Sequence, residues 1–253
     1  MPSLWFIVPA AGRAQLARIC LTHLRRTCDE LTGHGIRASA VVVADDENLD
    51  TARELGFGTV ERDNLFVSQK FNDGFDLACN PAHNPHPADY VVPCGSDDWV
   101  DWRIFMDLPR PDTIRCFQRL SFVREDGLEM TSRQLRNIGG CGIRVYPRQV
   151  VERRWYRPAD EDRKRACDTS ILHNVQRANP RVRVQHAGID PRQIVDWKSP
   201  DNQLNPYDAL RAHRPMRPAA DPFVALAGIY PAEHLKQMRA HYERVREAEL
   251  VAA

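Results

Sequence analysis

Segments typical of buried β-strands alternate with amphipathic helical segments through the first hundred residues of the chain. In order, these are a strand at 4–10, a helix at 14–31, a strand at 38–46, a helix at 49–57, a strand at 58–64, a helix at 70–80 and a strand at 89–94. The strands are apolar throughout instead of alternating, which favours burial on both faces. Order and burial together predict an α/β fold with a mostly parallel central sheet flanked by helices.

The second half of the chain has a less regular pattern, which predicts an α+β subregion beside the sheet. We expect a strand or hairpin at 113–123, a glycine-rich loop, strand and helix over 139–155, a helix at 165–178, a strand at 181–188, a polar proline-rich loop at 196–218 and a final helix at about 231–250.

The composition is that of an ordinary globular protein, and the net charge of +1 predicts no strong long-range field. Seven scattered cysteines form no C-x-x-C pair, so neither a zinc site nor a disulfide framework is indicated. No apolar run has the length of a membrane span, and the N-terminus lacks the basic start of a signal peptide. We therefore expect a cytoplasmic protein with no membrane partner.

Polar and charged residues follow three of the predicted strands. The turn Pro9–Arg13 follows the first strand, Asp45 and Asp46 end the second, and Asp97 and Asp98 follow the fourth. Because ligands of such sheets bind outside the carboxyl ends of the strands, we expect these residues to line one crevice. A carboxylate pair there suits Mn²⁺ or Mg²⁺ bound against phosphates, although Asp97 capping the next turn beside a solvated Asp98 also accounts for the pair.

The chain resembles the GT-A-fold glycosyltransferases, in particular the inverting family-2 type, through three segments in matching order. FIVPAAGR is similar to the opening strand and turn of that family. VVVADDENLD follows its D-D-x-S-x-D signature, with Asn48 where serine is usual. FNDGFDLA and ADYVVPCGSDDWVD resemble its N-x-G-x-x-x-A helix and the strand that leads to an acidic metal-binding motif. The resemblance covers roughly the first 105 residues.

This resemblance implies a donor site for a nucleotide-diphosphate sugar, with UDP favoured. It assigns the nucleotide pocket to Pro9, Ala10, Ala11, Arg13, Asp45, Ser96 and Asp97. It assigns the divalent metal to Asp97, Asp98 and His186. The sequence departs from the family motif at Gly95, where an acid is usual, so one ribose or metal contact is missing or comes from elsewhere.

The second half would supply the acceptor site and the catalytic base. Asp168, at the start of a helix after the glycine-rich loop, is the base that the resemblance implies, with Glu161 and Asp162 as rivals. Arg153, Arg154 and Trp197 are the predicted acceptor contacts.

Residues 144–165 are rich in arginine, which is typical either of a solvated helix face or of contacts to a polyanionic acceptor. A hydroxylated base in DNA fits the second interpretation, and Trp155 or Tyr156 would stack on it or replace it.

We accordingly divide the chain into a nucleotide-sugar-binding half at 1–105, an acceptor and catalytic half at 106–218, and a C-terminal helical extension at 219–253, in one compact domain. Two other functions stay open. One is a nucleotidyltransferase, for which PAAGRAQ is a poor phosphate loop. The other is a catalytically degenerate binding protein, which Gly95 favours.

Overall fold

A central sheet of seven strands and a smaller sheet of four form the framework of the molecule. The structure, a computed structural model, describes residues 1–45, 47–63, 66–134, 142–163, 167–199 and 221–252. The elements are β1 Ser3–Pro9, α1 Ala14–Gly33, β2 Arg37–Ala44, α2 Asn48–Glu54, β3 Gly58–Glu61, α3 Val67–Cys79, β4 Tyr90–Pro93, β5 Asp98–Val100, β6 Thr113–Phe117, β7 Arg119–Val123, β8 Met130–Gln134, β9 Arg144–Pro147, α4 Arg148–Glu152, α5 Cys167–Ala178, β10 Arg183–Ala187, β11 Ile194–Trp197, α6 Pro222–Leu226 and α7 Ala232–Ala252, with short 3-10 helices at Trp102–Phe105 and Pro191–Gln193.

The large sheet has the strand order β10-β6-β9-β4-β1-β2-β3. Strands β4, β1, β2 and β3 pair in parallel, as do β10 and β6, while β9 runs antiparallel to both of its neighbours. Strands from both halves of the chain share this sheet. The predicted α/β class with a mostly parallel central sheet is confirmed.

Helices cover both faces of the large sheet, and alternate residues of β1 point to opposite sides. Phe6 packs with α1 and α2, whereas Ile7 packs with α3 and α5, and both side chains are fully buried. Burial on both faces explains why this strand carries no polar alternation.

The small sheet has the order β5-β11-β7-β8, and it corrects two predictions. The segment 113–123 is not a hairpin, because β6 joins the large sheet while β7 pairs with β8 and β11 in the small one. The predicted loop at 196–218 begins inside β11, which pairs with β5. The pairings of β6 with β10, β7 with β11 and β5 with β11 join segments far apart in the chain, so local sequence patterns did not indicate them.

The C-terminal helix α7 packs on the small sheet and on α1. Leu235, Met238 and Tyr242 of α7 share a buried cluster with Trp99 and Trp197. None of the described helices combines the length and the apolar character that a membrane span requires.

Helix α3 lies unusually close to β1 because Gly74 faces the sheet. A Cβ atom at Gly74 would lie 2.3 Å from Cγ2 of Ile7 and 3.3 Å from Cγ2 of Val43. Glycine is unfavourable inside a helix, so this contact explains its presence there.

We predict that Gly74→Ala destabilises the fold by roughly 1–3 kcal/mol, because the added methyl group forces α3 away from β1. Urea unfolding followed by circular dichroism measures the change. Gly33→Ala, also in a helix but with no atom within 4 Å of the added Cβ, is the control and should be neutral or slightly stabilising. Equal stabilities of the two variants would contradict the close packing.

Candidate metal and phosphate site

The ends of β1 and β4 meet directly, as the sequence predicts. Arg13 follows β1 in a left-handed backbone conformation, with φ of 50°, at the N-terminus of α1. Its Nη1 donates to Oδ2 of Asp97 at 2.7 Å, and its Nη2 donates to Oγ of Ser96 at 3.3 Å. Three predicted site residues therefore lie in one contact group.

A third carboxylate, Asp196, completes this group. Asp196 on β11 lies opposite Asp98 on β5, because these two strands pair antiparallel. One ligand atom from each of Asp97, Asp98 and Asp196 lies within 4.8 Å of the others. We call these three residues the acidic triad. Asp196 is not among the predicted site residues, because the polar, proline-rich composition of 196–218 predicts a loop there. The local signal for a strand is limited to a polar residue between Val195 and Trp197.

His186, the predicted metal ligand on β10, does not belong to the triad. It is exposed on a strand at the edge of the large sheet, paired in register with Cys116. Asp196, and not His186, is the third residue in the cluster with Asp97 and Asp98.

A buried lysine, Lys198, forms an ion pair with one carboxylate of the acidic triad. Nζ of Lys198 donates to Oδ2 of Asp196 at 2.6 Å, and the lysine side chain is 3% exposed. The other oxygen of Asp196, Oδ1, is buried without a hydrogen-bond partner in the described part of the chain. A buried carboxylate oxygen without a donor is unfavourable, so the triad fits a hard cation that accepts oxygen ligands.

The ionisation of the triad reflects burial and crowding. Burial raises the pKa of Asp98 well above its usual range, and the charges of Asp196 and Asp97 raise it further. Burial raises the pKa of Asp196 to about 6, with the Lys198 ammonium opposing the shift. Burial acts on Asp97 in the same direction, but the charges of Arg13 and Lys198 outweigh it and lower its pKa.

Gly95 is part of the geometry of the triad. Its N–H donates to Oδ2 of Asp98 at 2.7 Å. A Cβ atom at this position would lie 2.7 Å from Oδ1 of Asp97 and 2.8 Å from Oδ2 of Asp98. The two carboxylates therefore fold back over the glycine, and they occupy the space that an acidic side chain at position 95 would need.

The end of β2 lies beside the turn that follows β1. Nζ of the buried Lys70 donates to the carbonyl oxygen of Ala10 at 2.7 Å and lies 3.7 Å from Oδ1 of Asp45. Nδ2 of Asn48 donates to the carbonyl oxygen of Gly12 at 3.2 Å, which ties the first turn to α2. Asp46 lies outside the described residues. The three predicted strand ends are thus joined by hydrogen bonds and ion pairs.

Asp168 occupies the first turn of α5, and its side chain lies outside the described part of the chain. The start of α5 is near the site edge, since the N–H of Ser68 in the first turn of α3 donates to the carbonyl oxygen of Arg163 at 3.2 Å. Glu161, the alternative to Asp168 as the base, accepts a hydrogen bond from Nδ2 of Asn72 at 3.2 Å. The role of Asp168 as a base stays a prediction.

The two arginines predicted as acceptor contacts lie away from the triad. Arg153 and Arg154 are exposed just after α4, which follows the end of β9. Because β9 is antiparallel and its last residue Pro147 pairs with Tyr90 at the start of β4, these arginines lie at the opposite edge of the sheet from the triad.

The aromatic residues predicted to contact the acceptor differ in their exposure to solvent. Trp197, a predicted acceptor contact, is fully buried, with its ring centroid 4.9 Å from that of Trp99, so it packs in the core and has no surface open to an acceptor. Tyr156 is buried as well, while Trp155 is 85% exposed beside the two arginines. Of these residues, Trp155 alone presents a ring to solvent.

No protein-family model and no curated protein matches the chain. Among solved structures, a Drosophila β1,4-galactosyltransferase 7 in complex with manganese, UDP-Gal and xylobiose aligns at 12% identity and a TM-score of 0.44, covering 85% of this chain and 74% of that one. Glucosyl-3-phosphoglycerate synthase from Mycobacterium tuberculosis in complex with Mn²⁺ and UDP-glucose aligns at 9% identity and a TM-score of 0.48, covering 83% and 74%. Similarity at this level leaves the activity of this chain to be argued from its own residues.

We predict that the metal-free protein loses stability as pH rises from about 4 to about 6. The unfolded Asp196 ionises near pH 4, whereas the folded one holds its proton to about pH 6, so the folded state binds more protons in this window. Urea unfolding in EDTA across this range measures the slope. Asp196→Asn should reduce this slope without abolishing it, because the pKa of Asp98 is also raised in the folded state. The exposed Asp29→Asn is the control and should keep the slope of the wild type. A free energy of unfolding that rises with pH in the wild type and in Asp196→Asn alike would contradict the crowding of the triad.

We also predict that Gly95→Ala weakens Mn²⁺ binding by about tenfold, or about 1.4 kcal/mol, because the methyl group displaces both carboxylates. Isothermal titration calorimetry gives the affinity. Gly188→Ala, with no atom within 4 Å of its Cβ, should bind as the wild type does. An unchanged affinity in Gly95→Ala would show that Asp97 and Asp98 are not the ligands.

Proposed function

We propose that the protein is a metal-dependent glycosyltransferase that moves a sugar from a nucleotide-diphosphate sugar, with UDP favoured, to an acceptor hydroxyl with inversion. The observation that carries this proposal is the acidic triad beyond the carboxyl end of the parallel strand β4, where Asp196 has a buried oxygen without a donor among the described residues. The order of the three family-like motifs in the first 105 residues supports it independently.

Asp97, Asp98 and Asp196 are the residues that would hold the metal. Three carboxylates within 4.8 Å of one another suit Mn²⁺ or Mg²⁺, which prefer oxygen ligands. A bound divalent cation supplies charge neutralisation for a diphosphate leaving group. The chain itself adds Arg13 and Lys198, whose cationic groups border the same carboxylates.

The turn after β1 and the end of β2 would bind the nucleotide. Arg13 is held by Asp97 and Ser96, so its guanidinium is positioned beside the proposed metal site, where it suits phosphate oxygens. Asp45 is partly exposed at the crevice and would accept hydrogen bonds from the base, with Lys70 fixing its position. Pro9, Ala10 and Ala11 would form the wall of the pocket.

Asp168 is the proposed base, which would take the proton from the acceptor hydroxyl as that oxygen attacks the anomeric carbon. Its place in the first turn of α5, near the site edge of the sheet, supports this role. The transfer would then invert the configuration at that carbon.

A hydroxylated base in DNA is the acceptor that the arginine-rich segment first suggested. Since Arg153 and Arg154 lie at the opposite edge of the sheet, they would have to hold a polymer at a distance from the reacting hydroxyl. A small acceptor would not reach them. DNA therefore stays a candidate whose test is binding to Arg153→Ala and Arg154→Ala variants.

The first experiment is a thermal-shift series with UDP, GDP, CMP and ADP, each with and without Mn²⁺. We predict a Mn²⁺-dependent rise in melting temperature with one of them, favouring UDP, because a ligand at a hundredfold excess over its Kd stabilises the folded state by roughly 2.7 kcal/mol. Asp97→Asn should lose the shift. Asp29→Asn, which changes an exposed carboxylate of α1, should keep it.

The alternatives give different results. A nucleotidyltransferase would release pyrophosphate from a nucleoside triphosphate, whereas a glycosyltransferase would slowly hydrolyse its donor sugar without an acceptor. A binding protein without catalytic activity would show the thermal shift and neither product. The absence of any Mn²⁺-dependent shift would overturn the proposed donor site.

A further inference from the structure

Lys198 is a buried cation in a fixed position on the acidic triad. Its backbone N–H donates to the carbonyl oxygen of Val123 at 3.1 Å, and its own carbonyl oxygen accepts from the hydroxyl of Tyr242 on α7. Its ammonium donates to Asp196 at 2.6 Å and lies 5.4 Å from the ring centroid of Phe122. The backbone is thus anchored on two sides, while the four-carbon side chain ends at the carboxylates.

Two carboxylates of this cluster already have a cationic partner, since Asp97 pairs with Arg13 and Asp196 pairs with Lys198. Three carboxylates face two cations, Arg13 and Lys198, so the fully ionised cluster keeps one net negative charge. A divalent cation that binds all three carboxylates competes with both ion pairs. A buried ammonium without an anion is strongly unfavourable, so Lys198 needs another partner when a metal takes Asp196.

Arg13 and Lys198 differ in how easily each can leave its carboxylate partner. The planar guanidinium of Arg13 is held by two residues, Asp97 and Ser96, whereas the ammonium of Lys198 has a single hydrogen bond among the described contacts. Lysine is a point charge on a flexible stem with rotatable donors, and so it can turn from one oxygen to another near it. Of the two cations, Lys198 is therefore the one better suited to move from its carboxylate to a new partner.

We propose that Lys198 couples metal binding to diphosphate binding: it neutralises Asp196 in the free protein, yields this carboxylate to a divalent cation, and turns to a phosphate oxygen of the donor. This inference rests on the proposed function, since the diphosphate comes from the nucleotide sugar. Metal and diphosphate then bind with positive cooperativity, because each removes the cost that the other would meet alone.

The experiment is a calorimetric titration of the full chain with Mn²⁺ alone, with UDP alone, and with UDP at saturating Mn²⁺. In Lys198→Met, Mn²⁺ alone should bind several-fold more tightly, because its competitor is gone. UDP at saturating Mn²⁺ should bind about tenfold more weakly, because a phosphate contact is lost. Lys236→Met, which removes an exposed lysine from α7, is the charge control and should match the wild type in both titrations.

These opposite changes separate the proposal from simpler roles. A lysine that only supports the fold would weaken both affinities on removal, and one that only binds phosphate would leave the Mn²⁺ affinity unchanged; either result overturns the proposal. If Lys198→Met does not fold, Lys198→Gln removes the charge but keeps a donor for Asp196, and the same two changes are expected.

Failure of the proposed function has a different signature. A wild type that binds Mn²⁺ but none of the nucleotides would overturn the donor site, while a tighter Mn²⁺ affinity in Lys198→Met would still support the competition between lysine and metal. A wild type that binds both ligands, together with an unchanged Mn²⁺ affinity in the variant, would overturn the coupling alone.

Discussion

Repulsion among three half-buried carboxylates is the constraint around which the site is built. Asp97, Asp98 and Asp196 meet where the large sheet passes into the small one, and ionised carboxylates withdrawn from water require compensating charge. Arg13 and Lys198, which lie far apart in the sequence, supply this positive charge. Arg13 does so from a left-handed backbone conformation that disfavours residues other than glycine, and the ion pair offsets part of that strain.

The aromatic core behind the triad connects it to the C-terminal helix. Trp99 follows Asp98 on β5, Trp197 follows Asp196 on β11, and the two rings pack against each other. Tyr242 of α7 lies in the same cluster, and its hydroxyl reaches the carbonyl oxygen of Lys198. The helix at the end of the chain is therefore part of the packing that holds the two β-strands, and with them the carboxylates, in register.

The sheet topology places the acidic triad and the arginine-rich surface at opposite edges of the sheet. Parallel strands bring their carboxyl ends to one edge, where the triad and Lys70 lie, and the antiparallel strand β9 carries the chain to the other edge before Arg153 and Trp155. An acceptor that used both regions would have to extend across the sheet. The proposed donor site needs only the first edge, and its residues come mostly from the first hundred positions.

The sequence by itself determined the central sheet, the helices on its faces and the meeting of the β1 and β4 ends, because these depend on local apolar patterns and on the rule that parallel strands share an edge. It also singled out Asp97 and Asp98. Only the tertiary structure decided that Asp196 and Lys198 join them, that His186 does not, and that Trp197 is buried. The places of Asp196, Lys198 and Trp197 depend on the pairing of β5 with β11, and the place of His186 depends on the pairing of β10 with β6. Both pairings join segments far apart in the chain, and pairing over such distances leaves no periodicity in the sequence to detect.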